Sequence, residues 1–157
     1  MSVFLWILGL LLFANGLLVA CIMDIKEQMV YRFLWLISGV GAVLLLGGRV
    51  YADGMQTEWM MELLFFIALQ QLWFKRFYGR ADCHAYCVCA VAMNAFGLVL
   101  IDYVMHMLIT FVGLAVVQFL RRNVGCGGRL KKPVALIPYI TIAFWVWVDF
   151  RGGKWYI

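Results

Sequence analysis

Charge is scarce in this chain. Asp, Glu, Lys and Arg make up 13% of its 157 residues, while 66% are hydrophobic. A water-soluble globular domain carries about 25% charged and about 45–50% apolar residues. A soluble chain of this length cannot bury so much apolar surface, so the composition points to a bilayer as the solvent. No basic stripe is interleaved with polar, groove-reading residues, which argues against nucleic acid as a partner despite the net charge of +5. A basic leader and a small-residue cleavage site are both missing from the first apolar stretch, which therefore reads as a retained helix and not a signal peptide. The cysteines are few and odd in number (Cys21, Cys83, Cys87, Cys89, Cys126). Four of them lie within or at the ends of apolar segments, so a disulfide framework is not expected. The polar–apolar alternation of a membrane barrel is absent too, which leaves helices as the way to satisfy the backbone in lipid.

What is present is a series of six apolar segments: Val3–Met23, Phe33–Gly48, Trp59–Phe74, Ala85–Ile101, Val104–Leu120 and Val134–Val148. They predict an all-α polytopic membrane protein, with six transmembrane helices in one bundle and a single domain over residues 1–157. Several segments are short for a bilayer. Arg32 and Arg49 are expected to snorkel and Trp35, Trp73 and Trp145 to sit at the interface. The first, third and fifth connections hold ten of the 13 Lys and Arg residues. By the positive-inside rule those connections lie in the cytoplasm and both termini lie outside, in a multi-pass protein of the cytoplasmic membrane. The longest connection, Arg121 to Pro133, reads as a flexible basic loop.

This topology sets two acids at one depth. Asp24 falls at the inner end of the first span and Asp82 just before the fourth. Two carboxylates brought close together cannot both ionise cheaply, so such a pair holds a shared proton. One member then serves as general base toward water while the other polarises a carbonyl, the two tasks that amide hydrolysis requires. The plainer alternative pairs each acid with a local base, Asp24 with Lys26 or Arg32 and Asp82 with Arg80.

The local sequences are Asp24-Ile25-Lys26-Glu27-Gln28-Met29-Val30 and Gly79-Arg80-Ala81-Asp82. They resemble the two signature segments of the type IV prepilin peptidase family, membrane aspartyl proteases of bacteria and archaea. That family has an Asp at a helix end, a basic residue two positions on and an aliphatic residue six positions on, as in Asp24, Lys26 and Val30. Its second segment is Gly-x-Gly-Asp before a helix, matched by Gly79 and Asp82. The late Pro133 and Pro138 also resemble its closing segment. Three features depart from the pattern. Tyr31 and Arg32 stand where Pro-Asn is common, Ala81 replaces the second glycine, and there is no Cys-x-x-Cys for a methylating domain.

The resemblance implies a peptidase-only enzyme that cuts the short basic leader of pilin-like precursors at the cytoplasmic membrane edge. Asp24 and Asp82 would be catalytic, Lys26, Gly79, Arg80, Ala81 and His84 would shape the site, and no metal or organic cofactor would be needed. Two alternatives stay open: a non-enzymatic membrane protein such as a transporter or secretion-assembly subunit, and a protease of the signal-peptide-peptidase type. The latter carries its first acid deep in a helix after Tyr, whereas Asp24 follows Met23.

Other polar residues have plainer expectations. Cys83, His84, Cys87 and Cys89 crowd one stretch, but zinc ligands are more often drawn from two separated pairs. Glu62 reads as an interfacial acid and Asp102 with His106 as a local pair. Gln70, Gln71, Asn94 and Gln118 are expected to bond between helices, and Gly39, Gly41, Gly47 and Gly97 to allow close helix packing.

Overall fold

The computed structural model describes residues 3–123 and 134–152. Much of the basic connection up to Pro133, with Cys126, therefore lies outside the described residues, as does Lys154. Six helices follow in order: α1 (Val3–Glu27), α2 (Arg32–Asp53), α3 (Thr57–Leu72), α4 (Arg80–Ala95), α5 (Leu100–Asn123) and α6 (Ile137–Phe150), with one 3-10 turn at Phe74–Arg76 before α4. Among the described residues the chain is all helix and connection. Three helices are long and apolar enough to cross a membrane: α1, α2, and α5 over Leu100–Arg122. With 16 residues in α3, 16 in α4 and 14 in α6, the other three reach only about 21–24 Å at ~1.5 Å per residue.

Glycine shapes the α1–α2 contact. A Cβ on Gly41 would collide with the backbone N of Phe13, and one on Gly9 would come within 2.9 Å of Leu44 Cβ. A Cβ on Gly16 would occupy the place of the Ser38 hydroxyl. Small residues of this kind let two helix backbones approach where lipid gives no hydrophobic drive to associate. Gly41 thus does what was expected of it, while Gly39 faces open space.

Helix α4 is the hub and touches α2, α3, α5 and α6. Nine of its residues are buried, mostly Ala and Cys with Tyr86, Met93 and Asn94. Phe13, Leu17, Ala42, Leu45, Ile140 and Phe144 belong to the same core. Outside it, large apolar side chains such as Phe4, Leu18, Phe33, Leu72, Phe119 and Phe150 are exposed. A continuous apolar exterior over a close-packed interior is what a helix bundle in lipid requires.

The fourth predicted span, Ala85–Ile101, does not form one helix. Gly97 takes φ 85°, its N–H donates to Asn94 O at 2.9 Å and the Leu98 N–H donates to Met93 O at 3.0 Å. This is a Schellman ending, and it stops α4 at a residue with no Cβ to oppose the left-handed turn. Gly97 is a helix terminator and not a packing glycine. Asp102 Oδ2 then accepts the Val99 N–H at 3.0 Å and starts α5 at Leu100, four residues before the apolar pattern suggests. Helix α4 likewise begins five residues early, at Arg80, behind Gly79.

A buried polar network ties α2, α3, α4, α5 and α6 together at this end. Arg49 does not snorkel: it is buried, and Nη1 donates to Asn94 O at 2.5 Å and to Asn94 Oδ1 at 3.0 Å. Its guanidinium lies 4.5 Å over the Trp59 ring. Asn94 Nδ2 donates to Tyr103 Oη at 2.8 Å and to Trp59 O at 3.2 Å. Asp102 and His106 are not a pair. Asp102 meets Arg151 at 2.9 Å and the Trp147 indole at 3.2 Å, whereas His106 Nε2 lies 2.8 Å from Ile140 O. Glu62 accepts the Leu100 N–H at 3.0 Å, so it anchors the start of α5.

Candidate active site

The opposite end gathers the α1–α2 connection, the α3–α4 connection and the start of α6. Helix α1 ends where Gln28 adopts φ 54° and its N–H donates to Asp24 O at 3.1 Å. Asp24 therefore sits in the last turn, with its carboxylate turned to α6. Its Oδ2 accepts the Ile137 N–H at 3.0 Å, across 113 positions of chain. An anionic oxygen is well placed against the N–H groups that open a helix.

Asp82 is the third residue of α4. Its Oδ2 accepts the Gly79 N–H at 3.1 Å, the backward half of a capping box. Gly79 is extended, with φ −63° and ψ 159°, a conformation open to any residue. Its missing Cβ matters for space: a Cβ there would lie 3.2 Å from Asp82 Oδ2 and crowd the carboxylate. Ala81 lies inside the first turn of α4, and among the described residues only Gln28 has positive φ without being glycine. Alanine in place of the motif glycine is therefore unstrained.

The Asp82 carboxyl is pushed up to about 6, first by burial and then by the charge of Asp24. The Gly79 N–H opposes the shift. The two acids are thus close enough to feel one another although they come from different helices. Among the described residues the ion pairs are Arg49–Asp53 and Arg151–Asp102, so neither Asp24 nor Asp82 is paired with a described local base. Lys26 is exposed at the end of α1.

Beside Asp82 lies a cavity of about 460 Å³ lined by Val30, Arg32, Trp35, Gln71, Lys75, Arg80, Ala81 and His84. Arg80, Ala81 and His84 thus belong to it, together with Val30 of the first signature segment, while Lys26 is not among its walls. His84 lies 3.5 Å from Gln71 and its ring centroid is 6.5 Å from that of Trp35. Burial lowers its affinity for a proton, and the charges of Lys75, Arg32 and Arg80 lower it further. Cys83 and Cys89 are buried in the bundle and Cys87 takes a long contact from Gln71 at 3.4 Å. Sequence reasoning passed over Arg32 and Lys75 as topology markers, and Gln71 as a generic helix-to-helix donor. Their one signal was position, since each falls at a helix end on the side of the two aspartates.

No family model, no curated protein and no solved structure matches this chain.

Proposed function

We propose that the chain is a membrane-embedded aspartic endopeptidase that cleaves the short basic leader of pilin-like precursors, with Asp24 and Asp82 as its catalytic pair. The bundle would sit with all six helices in the cytoplasmic membrane and the acids at its cytoplasmic edge. The observation that carries this reading is that carboxylates from two distant signature segments lie at one end of the bundle, where burial first and the charge of Asp24 second raise the Asp82 carboxyl. An isolated surface carboxylate is ionised well below pH 6, whereas one member of a close pair keeps its proton to higher pH.

With one proton between them, the ionised carboxylate takes a proton from water and the water oxygen adds to the scissile carbonyl carbon. The protonated partner donates a hydrogen bond to the carbonyl oxygen. Collapse breaks the C–N bond and a proton passes to the leaving amine, which returns the pair to a single shared proton. A precursor whose basic leader stays in the cytoplasm and whose apolar helix enters the bilayer presents its junction at this depth.

A second reading has its own support: each carboxylate accepts a backbone N–H at a helix start, Gly79 for Asp82 and Ile137 for Asp24. On that reading the acids are caps in a non-enzymatic membrane protein. Asparagine retains a capping oxygen but cannot carry the proton. Co-expression with a membrane-bound pilin-like precursor, followed by gel mobility, separates the two. The peptidase reading requires cleavage by the wild type that is lost in both Asp24→Asn and Asp82→Asn at normal protein levels. Cleavage that survives either change leaves only the capping role.

A further inference from the structure

We infer that the cavity between the α1–α2 and α3–α4 connections is a binding site for a phosphate-bearing anion, either the head group of an anionic lipid or free phosphate. Three cations from separate elements line it: Arg32 opening α2, Lys75 in the 3-10 turn and Arg80 opening α4. No carboxylate is among its walls. The described ion pairs lie at the far end of the bundle.

Two of the cations stand where physics disfavours them. Arg32 and Arg80 are the first residues of their helices, and the start of a helix carries partial positive charge that favours anions. The first turn of α2 contains no acid at all. Lys75, Arg32 and Arg80 all act on His84, so their fields converge on one wall. An anion there would be attracted by three side chains and the start of α2, whereas the start of α4 is already met by the Asp82 carboxylate. Gln71 offers a neutral amide donor and Trp35 an apolar wall. Phosphate is favoured over a smaller anion by the volume, which also has room for a glycerol unit.

The surroundings fit an acyl chain continuing outward. Phe33, Leu36, Leu72, Trp73 and Phe77, which neighbour the cavity residues in sequence, are all strongly exposed. Basic pockets among transmembrane helices take anionic head groups through this combination of cations and apolar rim. The inference draws only on the cations and volume of the cavity, so it does not rest on the peptidase reading.

The test is thermal unfolding of the full chain, purified in neutral detergent, with phosphatidylglycerol, phosphatidylcholine or inorganic phosphate added. Phosphatidylglycerol is expected to raise Tm by several degrees near saturation while phosphatidylcholine does not. A rise with phosphatidylglycerol alone assigns the lipid, and an equal rise with inorganic phosphate assigns the free anion. In Arg32→Gln/Lys75→Gln the apparent affinity should fall about 30-fold, at ~1 kcal/mol for each cation. Each single variant, expected to lose about fivefold, carries the test if the double variant does not accumulate. Arg121→Gln/Arg122→Gln removes the same charge from the exposed end of α5 and should change little. The inference is overturned if phosphatidylglycerol and phosphate stabilise no better than phosphatidylcholine. It also fails if the cavity variants bind as the wild type does, or if the α5 variant loses as much as they do.

Discussion

The two ends of this bundle handle polar groups in opposite ways. At one end Arg49, Asn94, Trp59, Tyr103, Asp102 and Arg151 are joined by hydrogen bonds and an ion pair across five helices. At the other, Asp24 and Asp82 are held by backbone N–H groups, and three cations face a cavity without an acid in its walls. A network in which most polar atoms find partners, Arg49 Nε and Trp59 Nε1 excepted, fixes structure more than it serves a substrate. Groups that keep proton-binding capacity or uncompensated charge cost stability where they stand, and such departures from local consistency cluster at functional sites.

Four experiments break or sharpen that contrast. The largest effect is expected from Asp24→Asn and Asp82→Asn: each should lower precursor cleavage by at least about 100-fold, the scale of a lost general acid or base, with Tm unchanged or raised. Next, at the opposite end, Asn94→Ala should cost about 1–3 kcal/mol, because Tyr103 and Arg49 lose a buried partner. Thermal unfolding reads the loss, and cleavage per folded molecule should be unaffected.

A third test uses pH. The Asp82 carboxyl has its ordinary value of 3.8 raised to about 6, so the folded protein keeps a proton there that an unfolded chain has released. Its protonated form is favoured in the fold, and stability from this group declines as pH rises from about 3.8 to about 6. Cleavage should likewise decline as pH rises through about 6, where the pair loses its shared proton. An infrared band of the protonated carboxyl should titrate in the same range and move to lower pH in Asp24→Asn. An unchanged band in that variant would show that the acids do not interact. The smallest effect is expected from Ala81→Gly, which should cost about 0.5–1 kcal/mol of stability through helix entropy and leave cleavage intact.

Much of this architecture is legible in the sequence because long apolar segments favour helices, which pair their backbone groups within the segment. All six predicted segments overlap observed helices, and three of those helices have the length and hydropathy of membrane spans. The errors have local causes. The apolar run through Gly97 hides a turn, since hydropathy does not register a positive φ. Arg49 looks like an interfacial cation until Asn94 and Trp59 supply it with a buried seat. Asp102 and His106 have the spacing of a helical pair, yet α6 offers each a stronger partner. At the candidate site, the sequence picked out Asp24, Gly79 and Asp82 and, among the cavity's walls, Arg80, Ala81 and His84, but not the opposite wall. Arg32 comes from α2 while Gln71 and Lys75 come from the end of α3 and the turn after it, and only the packing of α2, α3 and α4 brings the two sets to one cavity.

The short helices bear on how water reaches the acids. If α1, α2 and α5 cross a bilayer, its hydrocarbon layer is about 30 Å thick, which α3, α4 and α6 would be too short to match. On the proposed membrane reading the lipid beside them would dip to meet their ends, and a leaflet that thins locally draws its polar boundary inward. Asp82 stands at the first turn of one of these helices. The depression would carry solvent to a carboxylate that a helix of full span would have left dry or pushed out into the aqueous phase.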